Sequence, residues 1–170
     1  MVQEARDGIA PIEVTWKPFS LDQINQKVGE GYQVWDEPEE NIPDRLWGLR
    51  AAVAADLQGP GALNKLLPLL LKARHEDRKN LGDFEVLTEA AGTAGLDTNR
   101  FLEDLKDRSS LNAVAKSHTT AVEQLGVFGT PTFVFEDGGT AFVKLIRPDS
   151  PDEAEKDFEN VMSLVENARY

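Results

Sequence analysis

The run Gly126-Val127-Phe128-Gly129-Thr130-Pro131-Thr132-Phe133-Val134-Phe135 constrains this chain more than any other, because it joins a restrained loop directly to the most strand-like residues present. Ahead of it, Leu111, Val114, Ala115, His118, Ala121, Val122 and Leu125 return to one face at helical spacing. They predict a helix over Ser110–Leu125 with Gly126 as its terminating C′ residue. Pro131 disfavours the helical region at Thr130, so the chain enters a strand over Thr132–Phe135 already extended. Asp137-Gly138-Gly139 then turns it back into Thr140–Ile146, a hairpin signal built on residues that tolerate positive φ.

With 170 residues, 41% of them apolar, the chain can bury a core as one domain with a subdomain. It contains no cysteine, so its own residues cannot form a disulfide, a thiolate nucleophile, an iron–sulfur site or a cysteine zinc site. The longest apolar run, Leu66–Leu71, is broken by Pro68 and falls far short of the ~20 residues a membrane helix needs. Residues Met1–Gly8 lack the basic flank and apolar stretch of a secretory signal, which sets a cytoplasmic location as the expectation. Thirty acidic against eighteen basic side chains give a net charge of −12. That balance argues against nucleic acid and anionic membrane as partners, since both are held by lysine and arginine, and it suits a hydrated, self-repelling surface.

Taken in order, Met1–Gly8 reads as the end of a helix closed by glycine, with nothing before it to begin one. Ile12-Glu13-Val14-Thr15-Trp16 alternates as a strand ended by Pro18. The acidic stretch Glu37–Pro43 reads as an exposed hinge. Leu46, Leu49, Val53 and Leu57 mark a helix stopped by Gly59-Pro60-Gly61, and Leu63, Leu66, Leu67, Leu70 and Leu71 mark a second containing Pro68. Asp83 caps a third through Phe84, Leu87 and Ala91, ended by Gly92 or Gly95, and Asp97 or Thr98 caps a fourth through Phe101 and Leu105. Ser150-Pro151-Asp152-Glu153 opens a final helix as a capping box, with Phe158, Val161, Val165 and Ala168 on one face.

The stretch Leu125–Val134, Leu-Gly-Val-Phe-Gly-Thr-Pro-Thr-Phe-Val, resembles the cis-proline loop of the thioredoxin superfamily in its DsbA/FrnE-like branch, with the pattern G-V-x-G-T/V-P-T-F. Val14-Thr15-Trp16-Lys17-Pro18-Phe19-Ser20-Leu21 resembles that branch's second strand and the loop after it, and Ala94-Gly95-Leu96-Asp97 with Phe101 and Leu105 fits its helical insertion. The resemblance implies an α/β (α+β) thioredoxin-like sheet made of residues 1–36 and 126–170, with an inserted helical domain over 37–125. It also implies a first strand between the second strand and the hairpin, followed by a helix whose start carries the redox cysteines. Neither is represented here, and Met1–Gly8 resembles the tail of that helix. Expectations follow: residues belonging upstream, or a gap closed by direct pairing of 12–16 with 132–135, by a partner's strand or by homodimer formation.

The resemblance further implies a cis bond at Thr130–Pro131, and a substrate-binding loop of Phe128, Gly129, Thr130 and Pro131 that pairs with an extended peptide or a thiol-bearing substrate. It makes the chain a DsbA-family thiol–disulfide oxidoreductase-like domain, redox-inactive by itself for want of cysteine. Two alternatives share the fold. One is a glutathione-dependent isomerase of the 2-hydroxychromene-2-carboxylate kind or a kappa-class glutathione transferase, whose serine would also lie upstream. The other is a non-enzymatic peptide-binding module. No catalytic residue, metal site or cofactor is assigned. His118 lies on an apolar helix face and reads as structural, and adjacent His75-Glu76-Asp77 point different ways around a helix rather than converging on a metal. Trp16, Trp35 and Trp47 could line a pocket between sheet and helices, though core packing is the more common use of such rings.

Overall fold

The computed structural model describes residues 13–136, 138–144, 146 and 148–167. The described elements are α1 (Leu21–Ile24), α2 (Asp44–Asp56), α3 (Ala62–His75), α4 (Phe84–Thr93), α5 (Thr98–Lys106), α6 (Arg108–Leu125), β1 (Thr132–Val134), β2 (Thr140–Phe142) and α7 (Pro151–Asn167). The fold class is α/β, with a two-stranded antiparallel sheet beside a large helical block.

Local chemistry sets most helix boundaries. The Asp83 carboxylate accepts from the Glu85 amide at the start of α4, and Asp97 accepts from both Asn99 and Arg100 at the start of α5. Asp107 ends α5 and caps α6 through the Ser109 amide, a bond that holds its carboxyl below the usual aspartate range. Gly126 closes α6 at φ 64°, a left-handed geometry that costs glycine nothing. At α7 the Ser150 hydroxyl accepts from the Glu153 amide, while the Glu153 carboxylate accepts from the amide of Asp149, one residue before the cap.

Two cores organise the helical block. In the larger, Ala51, Ala54 and Ala55 of α2 let Leu66 and Leu70 of α3, Leu87 of α4, and Phe101 and Leu105 of α5 approach closely. Leu66, Leu87 and Leu105 are fully buried, each contributing about 2 kcal/mol of transfer free energy. The smaller core joins Val34, Trp35 and Ile42 to Leu46 of α2 and to Leu111 and Val114 of α6. Residues 34–42, two short 3-10 turns, are thus packed on the helical block.

Several expectations change. Residues 13–16 form no strand, because no neighbouring strand among the described residues supplies a ladder; Ile12 and Met1–Gly8 lie outside those residues. Residues 13–16 therefore do not pair directly with β1, whose partner is β2. The hairpin strands are shorter than the apolar pattern suggests, ending at Val134 and Phe142. Glu37–Pro43 is not a loose hinge: Glu39 accepts from Arg50 at 2.6 Å and from Arg108 at 3.3 Å, and Arg108 donates to the carbonyls of Trp35 and Glu37. Short α1, capped by Ser20 through the Gln23 amide, has no apolar periodicity to reveal it.

Candidate polypeptide-binding loop

Gly126 and Pro131 bracket the loop, and the residues between them alternate in burial. Val127 and Gly129 are buried, whereas Phe128, Thr130 and Pro131 are exposed, Phe128 by 65%. The Thr130–Pro131 peptide bond is cis. The Thr132 hydroxyl donates to the Gly129 carbonyl at 2.8 Å, tying the loop to the start of β1. A Cβ at Gly129 would stand 2.9 Å from Cε2 of Phe142, so glycine is what lets that ring lie against the loop. Phe142 in turn packs on Phe128, ring centroids 5.0 Å apart. Of the four loop residues singled out in the sequence, the structure brings Phe128 and Gly129 together around Phe142, a residue sequence reasoning missed because only strand pairing reveals it.

β1 carries a usable edge. The Pro131 carbonyl accepts from the Val143 amide, and the Phe135 amide donates to the Gly139 carbonyl. In an antiparallel pair the bonding direction alternates along the strand, so residues 131, 133 and 135 face β2. Thr132 and Val134 then turn their backbone amides and carbonyls to the opposite edge, which pairs with no strand among the described residues. Beside β1, Phe133, Pro148, Ala154, Asp157, Phe158 and Val161 line a hollow of about 240 Å³ whose walls are almost wholly apolar.

The other sequence candidates lie elsewhere. His118 is buried in α6, its Nδ1 accepting from the Ser20 amide at 3.2 Å and its ring between those of Phe19 and Trp35. Burial alone lowers its pKa. Trp47 packs edge-on to Phe84 under the Arg50 guanidinium and Trp35 fills the smaller core, whereas Trp16 is exposed and is not part of a core. Among the described residues no three potential ligands cluster as a metal site would require, and no helix is long and apolar enough to cross a membrane.

Comparison with known proteins decides the family. A model described as a DSBA-like thioredoxin domain matches residues 2–154. The chain belongs to this family. Curated relatives of this DsbA-like domain include the ClpXP adapter protein SpxH of Shouchella clausii (strain KSM-K16), 34% identical over 85 residues that cover 50% of this chain and 28% of that protein. The ClpXP adapter protein SpxH of Bacillus subtilis (strain 168) is 30% identical over 102 residues, covering 60% of this chain and 34% of the relative. The DsbA-like domain thus spans about a third of the length of the curated relatives it matches.

Proposed function

We propose that this DsbA-like domain binds an extended segment of another polypeptide at the 126–131 loop and the free edge of β1, using no thiol of its own. The observation that carries the reading is the coincidence of a β1 edge that pairs with no strand among the described residues and an exposed aromatic pair, Phe128 and Phe142, at one end of it. Added-strand recognition needs those two parts: main-chain groups for affinity, and side-chain surfaces beside them for selection. The relatives' role as ClpXP adapters is a binding role, which agrees with this reading over a catalytic one. Thiol–disulfide exchange, the other activity suggested by the family, would require cysteine from outside these 170 residues.

Fluorescence anisotropy with a labelled, unfolded polypeptide whose cysteines are alkylated tests the proposal. Saturable binding is expected. Phe128→Ala should weaken it by about fivefold or more, as truncating an aromatic anchor does. Val134→Pro removes an amide from the open edge while leaving the β2 ladder its bonds, and should weaken binding as well. No binding, or binding unchanged in both variants, would overturn the reading.

A further inference from the structure

A second surface, in the helical block and independent of the β1 edge, gathers positive charge on a strongly acidic chain. Asp44 and Arg45 at the start of α2, Arg74 and His75 in the last turn of α3, and Asn80 and Leu81 of the loop leading to α4 line a cleft of about 490 Å³. Two of its cationic or potentially cationic groups, Arg74 and His75, make no hydrogen bond or ion pair with any described residue, although acidic side chains outnumber basic ones thirty to eighteen. The third, Arg45, spends one nitrogen on Asp22 and is 69% exposed along its side chain.

The negative end of the α3 dipole explains why its last turn is basic. It does not explain why Arg45, on a different helix, lines the same cleft. Nor does a side chain cap α2: its N-cap is Pro43, which offers no side-chain acceptor, and the Arg45 amide has no partner among the described residues. The one carboxylate in the cleft, Asp44, is already engaged by the Asn80 side-chain amide at 2.6 Å. The wall is also rigid. Gly82 lies so close to Asp44 that a Cβ there would stand 2.5 Å from Asp44 Cγ, Leu81 sits against Gly48, and Lys79 donates its amide to the Ala73 carbonyl. Such a pre-formed wall lowers the ordering cost of binding.

We propose that this cleft is a binding site for an oxyanion, a phosphate or carboxylate group, held chiefly by the Arg74 and Arg45 guanidiniums with the His75 ring beside them. A planar guanidinium gives two parallel donors to such a group, which is why arginine suits it. The group could be a free anion or one carried by a polypeptide, and the chemistry of capture is the same.

Amide NMR titration of the full chain decides it, with inorganic phosphate, a phosphoserine peptide and a glutamate peptide as separate arms, each against sodium chloride of equal ionic strength. Saturable shifts clustered at residues 44–46 and 74–82 are expected in at least one arm, and the tightest arm identifies the source of the group. Arg74→Gln removes an exposed charge that makes no hydrogen bond or ion pair with any described residue, so the fold should stand while affinity drops by about tenfold or more. Phe128→Ala should leave the titration unchanged, which separates this site from the β1 edge. The proposal is overturned by shifts no larger than those from chloride, by shifts that do not saturate, or by equal affinity in Arg74→Gln.

Discussion

Arg50 shows how much one side chain can join. It is fully buried in α2, yet its guanidinium donates to the Ser110 hydroxyl at 2.9 Å, to Glu39 at 2.6 Å and to the Asp107 carbonyl at 3.1 Å, and lies 4.0 Å from the Trp47 ring. One residue thereby fixes the 34–42 segment, the α5–α6 junction and α2 to one another. Arg50→Ala should cost about 3 kcal/mol, combining lost charge-assisted bonds with a cavity where the stem packed. Arg50→Met, which refills the stem, should fall between that variant and wild type. Urea denaturation checks both, and an Arg50→Ala loss under about 0.5 kcal/mol, the range of ordinary surface changes, would contradict the assignment. His118 makes a second join, between α6 and Ser20, and only its neutral form can accept from that amide at Nδ1. Its folded pKa is lowered, so the unfolded chain takes up the proton first. This part of the stability is therefore complete above the ordinary imidazole value of 6.5 and is lost as pH falls from there through the lowered folded value. Between pH 7.5 and pH 5, wild type should lose more stability than His118→Gln, with Trp35 fluorescence reporting locally; equal losses would remove His118 from the account.

Among the elements, α3 contains a local contradiction. Pro68 sits in the interior of this helix and is exposed, so its ring does no packing that would justify the missing amide. The helix persists because Leu63, Leu66 and Leu70 are buried in one core with residues of α2, α4 and α5, and tertiary burial outweighs a local cost of up to ~3 kcal/mol. Pro68→Ala should restore one backbone bond and raise stability by about 1–2 kcal/mol once the gain in unfolded-state freedom is subtracted. An unchanged or lower melting temperature would mean that the proline is accommodated without cost. The same helices show what was legible in the sequence. Asp83, Asp97, Gly126 and the Ser150 box act on their own backbone neighbours, so their effect is written locally, and the starts of α4, α5 and α7 and the end of α6 fall where those residues predict. The 37–43 segment departs from the expected hinge for the opposite reason. Its acidity looks like solvation, and only the fold shows that Arg50, 11 residues on, and Arg108, 69 residues on, claim Glu39. Arg50 lay in view between Leu49 and Ala51 in a helical pattern, but nothing in that pattern distinguishes a buried arginine from an exposed one.

For the whole molecule, the backbone course of the 126–131 loop is legible because glycine and proline constrain their own backbone, whereas the ring contact with Phe142 and the direction of the β1 amides depend on strand pairing. The cationic cleft was equally hidden, since it unites residues 44–45 with 74–75 and 80–81 across two helices. The free β1 edge has a consequence for the molecule as a whole. Unpaired strand edges template association, and no strand among the described residues pairs with this one: Thr132 and Val134 are neither charged nor proline and exposed Phe128 and Phe142 flank the strand, while its three-residue length limits the template. Against this stands the charge of −12, which makes two copies repel. The two effects respond differently to salt. Raising ionic strength from about 0.01 M to 0.5 M shortens the Debye length from roughly 30 Å to under 10 Å and removes the long-range repulsion, while backbone pairing and apolar contact are little weakened. Monomer is therefore expected at low salt and a concentration-dependent dimer at high salt. Val134→Lys should keep the chain monomeric at both, because it places a charge on the pairing edge. Light scattering at several concentrations is the measurement, and a mass that stays monomeric in high salt, or a dimer that Val134→Lys leaves intact, would show that β1 does not mediate self-association.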